Sequence, residues 1–226
     1  MKNTEKLYSV ALVSVTLILA LIIVSSTASA STLQVGGTAK YKTIQSAVNA
    51  AKSGDTLKVA YGTYKENIKI DKDLTIIGTK YPKVDGFIFE ENKGTGTING
   101  FSIQKYGTSG FYAGGYGTIR NNYFYNCGIS LQGGSSSGAN ILNNKIKNGG
   151  IYLQDTNSQI IKGNTISNSE YGLFIGNMAS VPTVSKNTFK NCKTAVFFQG
   201  WEGNPGQLTT FSGNKYIGNK VNIGWS

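Results

Sequence analysis

The stretch NNKIKNGGIYLQ, residues 143–154, contains two short runs in which apolar and polar residues alternate. In the first run Ile146 stands between two lysines, and in the second Ile151 and Leu153 stand on either side of a tyrosine. A period of two is that of a β-strand with one buried face. Asparagine is a typical turn residue. The stretch therefore predicts two short strands joined by a turn.

The same pattern recurs from about residue 99 to the end of the chain. Its phase is set by N-x-[F/I/Y]-x-N, whose leading asparagines are 22, 20, 23 and 27 residues apart. Repeats of this length bury their inner faces only by stacking on one another. The sequence therefore predicts an all-β fold, a right-handed single-stranded parallel β-helix with coils about 4.8 Å apart. The copies begin at Asn122, Asn144, Asn164 and Asn187, with a degenerate copy at Asn214, and the strands that follow run from Ile129 to Gln132, Ile151 to Gln154, Leu173 to Gly176 and Val196 to Gln199.

Two columns of asparagine run along this predicted β-helix. Asparagine tolerates the left-handed backbone, and its amide can hydrogen-bond to the asparagines of the coils above and below. Because buried turn amides need partners, both columns are interpreted as structural rather than ligand-binding. The leading column is Asn122, Asn144, Asn164 and Asn187, and the trailing column is Asn126, Asn148, Asn168 and Asn191.

The segment from Tyr41 to Gly78 departs from the repeat and predicts the N-terminal end of the solenoid. Its first part predicts a short helix that ends at Gly54 and caps the open end, as terminal repeats require. Ile44, Ala47, Val48 and Ala51 form the apolar face of this helix, and strands from Thr56 to Ala60, Asn67 to Ile70 and Leu74 to Ile77 form the first coils.

The string TIQSAVNAAKSGDTLKVAYGTYKENIKIDKDLTIIG, residues 43–78, resembles the cap and first turns of the pectin-lyase-like superfamily, most closely the pectin methylesterases. The G-x-Y-x-E motif of that family matches Gly62-Thr-Tyr64-Lys-Glu66. The later coils resemble the repeats of adhesin-like exported surface proteins. The resemblance implies one β-helix domain over residues 31–226, and the motif points to the scaffold rather than to an active site.

Residues 1–30 have the pattern of a secretory signal peptide. Lys2 and Lys6 precede a mainly apolar run from Leu7 to Val24, and the segment ends in Ala28-Ser-Ala30. An uncleaved N-terminal membrane anchor is the alternative, because the run approaches the length of a membrane span. Both interpretations predict an exported protein, secreted or held at the cell surface, with no other contact with a membrane. The oligomeric state stays open.

The resemblance to pectin methylesterases implies catalytic residues at three places. Gln154-Asp155-Thr156 matches the family's Q-D-T motif, which holds the acid/base aspartate. One coil later, Gly172 occupies the position of the nucleophilic aspartate, and the only arginine, Arg120, precedes Asp155 instead of following both carboxylates. One carboxylate with neither partner cannot run this hydrolysis. The sequence thus favours a non-catalytic protein and names Gln154 and Asp155 as the residues an esterase-like activity would use.

Composition limits the remaining chemistry. The chain has no histidine, which excludes histidine bases and histidine metal sites, and neither a metal nor a cofactor is predicted. Without residues 1–30 it keeps 20 basic and 10 acidic residues, a formal charge of +10 that favours acidic polysaccharide or an anionic wall polymer as partner. Nucleic acid is not predicted, because a cluster of basic residues and a reading motif are both missing. A lyase, glycoside hydrolase or degenerate esterase acting on polysaccharide remains an alternative.

Two outward surfaces are predicted from the strand alternation. On the strand that follows each N-x-[F/I/Y]-x-N motif, aromatic rings stand beside amides, which suits the binding of sugar rings. On the strand within the motif, lysines stand beside tyrosines, which suits the binding of an acidic polymer. The alternatives are a loop that covers the rings and a lysine face that only protects the strands, which together describe a purely structural, adhesin-like protein. The predicted carbohydrate-binding residues are Tyr152, Phe174 and Phe197 with Gln132, Gln154 and Gln199, and Lys145, Lys147 and Lys190 near Tyr123 and Tyr125.

The two cysteines are predicted to be inward-facing thiols. Cys127 and Cys192 stand three coils apart, which is about 14 Å at a rise of about 4.8 Å, whereas a disulfide needs Cα atoms within about 7 Å.

Overall fold

The computed structural model describes residues 29–90, 96–104, 111–113, 117–132, 139–154, 159–176, 182–200 and 209–226, with 111–113 described as backbone only. The chain from Ser31 to Ser226 forms one compact unit. The predicted export signal lies outside the described residues, apart from its last two positions. Within the described ranges, no helix is long and apolar enough to cross a membrane.

The chain winds into a parallel β-helix with three ladders of strands. Ladder A is a nine-stranded sheet, and a fourteen-stranded sheet divides at β5 (Lys83–Phe89) into ladders B and C, with β3 (Thr63–Ile70) also paired to β5. Ladder A contains β1 (Thr32–Val35), β2 (Thr56–Val59), β4 (Leu74–Gly78), β6 (Gly96–Asn99), β9 (Gly117–Arg120), β12 (Asn140–Leu142), β15 (Ile160–Lys162), β18 (Thr183–Ser185) and β21 (Phe211–Ser212). Ladder B contains β7 (Ser102–Ile103), β10 (Tyr123–Tyr125), β13 (Lys145–Lys147), β16 (Thr165–Ser167), β19 (Thr188–Lys190) and β22 (Lys215–Ile217). Ladder C contains β8 (Phe111–Ala113), β11 (Ile129–Gln132), β14 (Ile151–Gln154), β17 (Tyr171–Gly176), β20 (Thr194–Gln199) and β23 (Val221–Trp225).

Equivalent inner positions of successive coils stack on one another, because the paired strands keep their register. Each inner side chain is removed from water only by the coils on either side, which makes apolar burial cooperative along the stack. The predicted solenoid is therefore confirmed. In ladder A the aligned, fully buried residues are Ile119, Ile141, Ile161 and Val184.

Helix α1, Ile44–Ala50, packs its apolar side into the core near the first strands. The predicted end at Gly54 is wrong by about one turn, because the backbone is already extended at Ala51, with ψ 153°. Ala51 stays buried outside the helix. The buried helical residues are Ile44, Ala47 and Val48.

The G-x-Y-x-E motif holds this end of the solenoid together. The Glu66 carboxylate accepts hydrogen bonds from the backbone N–H groups of Ile44 and Gln45, at 3.0 and 2.9 Å. These N–H groups have no partner within α1, and a carboxylate at a helix N-terminus is stabilising. Tyr64 is buried, and its hydroxyl donates to the carbonyl of Ala60 at 3.0 Å. The motif therefore acts in the scaffold.

The leading asparagines lie inside the coils. Asn164 Oδ1 accepts from the backbone N–H and from Nδ2 of Asn144, at 2.8 and 3.0 Å, and Asn164 Nδ2 donates to the carbonyl of Ile141 at 2.8 Å. The left-handed backbone predicted for this column is wrong. The preceding residue takes that conformation, as in Asn121 and Asn143 with φ 55° and 54°, so that the leading side chain points inward. The fully buried members are Asn122, Asn144, Asn164 and Asn187.

The trailing asparagines form the left-handed turns and are exposed. Their φ angles lie between 53° and 57°, a region that asparagine tolerates better than other residues with a side chain. Asn148 Nδ2 donates to Asn126 Oδ1 at 2.8 Å across one coil. The members are Asn126, Asn148, Asn168 and Asn191.

Both cysteines are buried thiols and form no disulfide, as predicted. Cys127 Sγ lies 3.4 Å from the carbonyl oxygen of Ile103. Burial raises the pKa of Cys192, because desolvation disfavours the thiolate. Both side chains therefore serve as small core residues.

Candidate functional site

Ladder B presents two outward columns of tyrosine, lysine and hydroxyl side chains, called here the Lys/Tyr face. Between β10 and β13, Tyr123 is in register with Lys145, and Tyr125 is in register with Lys147. Tyr123 and Tyr125 are 37% and 46% exposed, in contrast to the buried residues between them. The first column is Tyr123, Lys145, Thr165, Thr188 and Lys215, and the second is Tyr125, Lys147, Ser167, Lys190 and Ile217.

The lysines of this face lie over the tyrosine rings. Lys145 Nζ is 5.2 Å from the centroid of Tyr123, and Lys147 Nζ is 5.7 Å from the centroid of Tyr125. Such contacts stabilise by about 0.5–1 kcal/mol at exposed sites and restrain the ammonium group. The two columns contain no carboxylate, so their positive charges are not neutralised within the face. Fixed cations beside hydroxyls and exposed rings suit a ligand that is both acidic and rich in hydroxyls.

Ladder C carries Tyr152, Phe174 and Phe197 in register, called here the aromatic column. The rings of Phe174 and Phe197 stack at 5.7 Å with 26° between their planes, and Tyr152 follows at 6.0 Å. Tyr171 packs against both phenylalanines, at 5.6 and 4.8 Å. All of these rings are half-buried. Residues 133–138, 155–158, 177–181 and 201–208, which follow these strands in the sequence, lie outside the described residues.

The environment of Tyr152 is apolar with a nearby acidic group. Burial raises the pKa of Tyr152, the Glu170 carboxylate adds to the increase, and a hydrogen bond with Ser169 opposes it. Glu170 forms an exposed ion pair with Lys193 at 3.0 Å. Lys193, which directly precedes β20, is thus already paired, whereas the described residues form no ion pair with the lysines of the Lys/Tyr face.

The predicted amide column ends the ladder C strands. Gln132, Gln154 and Gln199 are exposed, and Gly176 occupies the fourth position of this column. Gln132 Nε2 donates to Gln154 Oε1 at 3.4 Å. The structure therefore brings the predicted aromatic and amide residues together, while the predicted lysines lie on a different ladder.

Among the described residues, the positions that an esterase would use do not form a catalytic group. At Gly172 a Cβ atom would lie 2.6 Å from the carbonyl oxygen of Ala195 and 2.7 Å from Phe189 Cδ1, so this inward position has no room for a side chain. Asp155 lies outside the described residues. Arg120 is exposed at the end of β9 in ladder A. In the described part of the chain, no group of three His, Cys, Asp or Glu side chains is placed to hold a metal ion.

A cleft that the sequence does not predict lies at the corner between ladders A and B, with a volume of about 440 Å³. Residues 79–82 form this corner between β4 and β5, whereas two residues suffice between β6 and β7 and in the next coils. The longer turn holds Tyr81 outward, with its ring 4.5 Å from that of Tyr123. The repeat does not reveal Tyr81, because this residue precedes the repeat that begins at about residue 99 and lies in a longer turn. The cleft is lined by Tyr81, Tyr123, Lys145, Asn99, Asn121 and Asn143, among others.

A family model described as "Right handed beta helix region" matches residues 85–225, more than half of the chain. Comparison with curated proteins and with solved structures gave no match. The matched region contains ladder B, ladder C and most of the corner cleft, although Tyr81 precedes it.

Proposed function

The chain belongs to the family of right-handed β-helix regions, and we propose that it is an exported, non-catalytic module that binds an acidic polysaccharide through its Lys/Tyr face. The β-helix is a rigid, regular support for side chains that must meet an extended polymer. The net positive charge outside residues 1–30 favours the approach of such a polymer.

The register of ladder B is the observation that carries this proposal. Lys145 and Lys147 lie in one coil, Lys190 lies two coils further, and Lys215 lies three coils further. With a rise of about 4.8 Å per coil, the backbone positions of these lysines are separated along the stack by multiples of one distance. A polymer with regularly spaced carboxylates can meet several of them at once. Each exposed ion pair contributes only about 0–1 kcal/mol, but linked contacts add along the polymer.

Hydroxyl groups fill the rows between the lysines. Thr165, Ser167 and Thr188 stand outward in the same two columns. Hydroxyls both donate and accept hydrogen bonds, as the hydroxyls of a sugar do. The side chains between the lysines are therefore short and polar. They leave a shallow polar surface along which a carbohydrate chain can lie.

The aromatic column is the competing surface, and its packing makes it the less favourable one. Phe174 stacks on Phe197 and contacts both Tyr152 and Tyr171. A sugar that stacks on a ring needs an open ring face, and here much of that area is already in contact with other rings. We assign the aromatic column mainly to the stability of ladder C.

The proposal is tested by calorimetric titration with polygalacturonate, poly(glycerol phosphate) and uncharged dextran. Replacing Lys145, Lys147 and Lys190 by Gln is expected to weaken binding of polygalacturonate about 10- to 100-fold, from three contacts of about 0.5–1 kcal/mol each. The matched control replaces the exposed lysines Lys58, Lys69 and Lys162 by Gln, which removes the same charge from other strands.

The outcomes separate the alternatives. Equal weakening by both triple variants would mean that binding depends on the net charge of the protein and not on the Lys/Tyr face. Binding of the uncharged dextran would mean that the interaction does not depend on charge. A preference for poly(glycerol phosphate) would move the ligand from carboxylated sugars to phosphate polymers. If none of the polymers binds, the proposal is wrong and a structural role at the surface is favoured.

A further inference from the structure

The corner cleft lies beside the first tyrosine and lysine of the Lys/Tyr face. It shares Tyr123 and Lys145 with that face, and its other lining residues come from the ends of the ladder A strands and from the turns between ladders A and B. Its volume of about 440 Å³ falls within the range of about 300–1,000 Å³ that small-molecule sites occupy. The cleft thus has room for a sugar ring next to the first residues of the Lys/Tyr face.

The wall of the cleft is built by an unusual backbone. Lys80 and Tyr81 both have φ 58°, in the left-handed region that residues with large side chains rarely adopt. Such conformations persist where the surroundings enforce them, and they cluster at functional sites. Here the turn holds the Tyr81 ring outward, 41% exposed and at 62° to the ring of Tyr123.

The floor of the cleft is polar. Asn121 Nδ2 donates to Asn99 Oδ1 at 2.8 Å, which lines up two side-chain amides across one coil. Gly100, with φ 82°, has no Cβ, and one placed there would lie 2.7 Å from the carbonyl oxygen of Gly78. Glycine at this position therefore allows the backbones of Gly78 and Gly100 to stack closely, and the two side-chain amides line the cleft. A hydrogen bond with Tyr123 raises the pKa of Tyr81, because it stabilises the neutral phenol.

We propose that the cleft binds one carboxylated sugar residue, with the sugar face on the Tyr81 ring, its carboxylate at the Lys145 ammonium and its hydroxyls at the Asn99 and Asn121 amides. None of the described residues that line the cleft is a carboxylate, so the Lys145 charge is not neutralised by them. The inference deepens the proposed function and rests on it, because the bound sugar is taken as one residue of the polymer on the Lys/Tyr face.

A short ligand separates the cleft from the extended face. Calorimetric titration with tri-galacturonate, compared with neutral tri-galactose, measures the affinity of the cleft for a short ligand. Titration with polygalacturonate measures the affinity of the cleft and the Lys/Tyr face together. Tyr81→Ala is expected to weaken tri-galacturonate binding about three- to tenfold, the range of one lost aromatic contact. Tyr81→Gly, which fits φ 58° without strain, keeps the test valid if the alanine variant is unstable. Tyr61→Ala, at a 67% exposed tyrosine in another turn, is the matched control.

The result that supports the inference is loss of tri-galacturonate affinity in both Tyr81 variants, none in Tyr61→Ala, and no binding of tri-galactose. Unchanged affinity in the Tyr81 variants overturns the cleft site, while the proposed function stands if polygalacturonate still responds to the lysine triple variant. If polygalacturonate binds none of the proteins but the trisaccharide binds in a Tyr81-dependent way, the cleft is a sugar site and the proposed binding of a polymer is wrong. If neither ligand binds, both ideas are wrong.

Discussion

Ladders B and C expose side chains with the same two-residue period, yet they use their aromatic rings differently. In ladder B, Tyr123 and Tyr125 share one coil and are 37% and 46% exposed. In ladder C, Tyr152, Phe174 and Phe197 occupy successive coils and are half-buried. An outward aromatic position is therefore no sign of a sugar site by itself, because the residues in the next coils decide whether the ring is available.

The spacing of the coils explains this difference. Coils rise by about 4.8 Å, which falls within the 4.5–7 Å range at which aromatic rings interact. Rings in successive coils therefore pack on one another, as in the aromatic column. When lysines follow the tyrosines instead, the long side chain reaches over the ring and keeps its charge in solvent. The Lys/Tyr face and the aromatic column should then respond to mutation in opposite ways.

The largest effect is expected in the scaffold that both ladders share. Asn164→Ala removes an acceptor for two donors of Asn144 and a donor for the carbonyl of Ile141, all buried. Leaving buried groups without partners should lower the free energy of unfolding by about 3 kcal/mol. Chemical denaturation measures this loss.

The matched control is Asn168→Gly in the exposed trailing column. Its φ of 55° suits glycine, so the free energy of unfolding should change by less than about 0.5 kcal/mol. Similar losses in both variants would contradict the inward and outward roles of the two asparagine columns.

The next effect separates the ladders. Phe174→Ala removes a half-buried ring that contacts three other rings and should lower the free energy of unfolding by about 2 kcal/mol. Affinity for polygalacturonate should stay within about twofold, a difference of about 0.4 kcal/mol. Denaturation and calorimetric titration of the same preparation provide both numbers. A large loss of affinity with little loss of stability would place the binding site on ladder C.

The opposite result is expected on the Lys/Tyr face. Tyr125→Ala removes an exposed ring and its contact with Lys147, and should weaken polymer binding by about 1 kcal/mol while the free energy of unfolding falls by no more than about 1 kcal/mol. Titration with polygalacturonate checks the first number and denaturation the second. Tyr61→Ala serves again as the control for loss of an exposed tyrosine.

The smallest effect concerns alkaline pH. Because the pKa of Tyr152 is raised in the folded protein, its contribution to stability is complete below the unfolded pKa of about 10 and is lost as pH rises through the folded value. Tyr152→Phe should make the melting temperature fall less steeply above pH of about 10. Burial also raises the pKa of Tyr64 and Tyr216, so part of the decrease should persist. An unchanged slope would mean that Tyr152 is equally hydrated in both states.

The repeat allowed the fold to be predicted, because each inner position such as Ile141 or Ile161 recurs at a fixed phase. The two asparagine columns could not be distinguished, since residue type and period are the same and only the side-chain direction differs. The corner cleft could not be predicted, because Tyr81 lies in a turn outside the period. The packing of Phe174 on Phe197 depends on ring geometry that alternation does not encode.

Lysine footprinting tests the central claim most directly. Acetylation of the native protein with and without polygalacturonate, followed by mass spectrometry, compares the reactivity of every lysine in one experiment. We expect the polymer to protect Lys145, Lys147 and Lys190, while the exposed control lysines Lys58, Lys69 and Lys162 react as before. Equal protection of both sets, or protection of the control set alone, would contradict a binding site on the Lys/Tyr face.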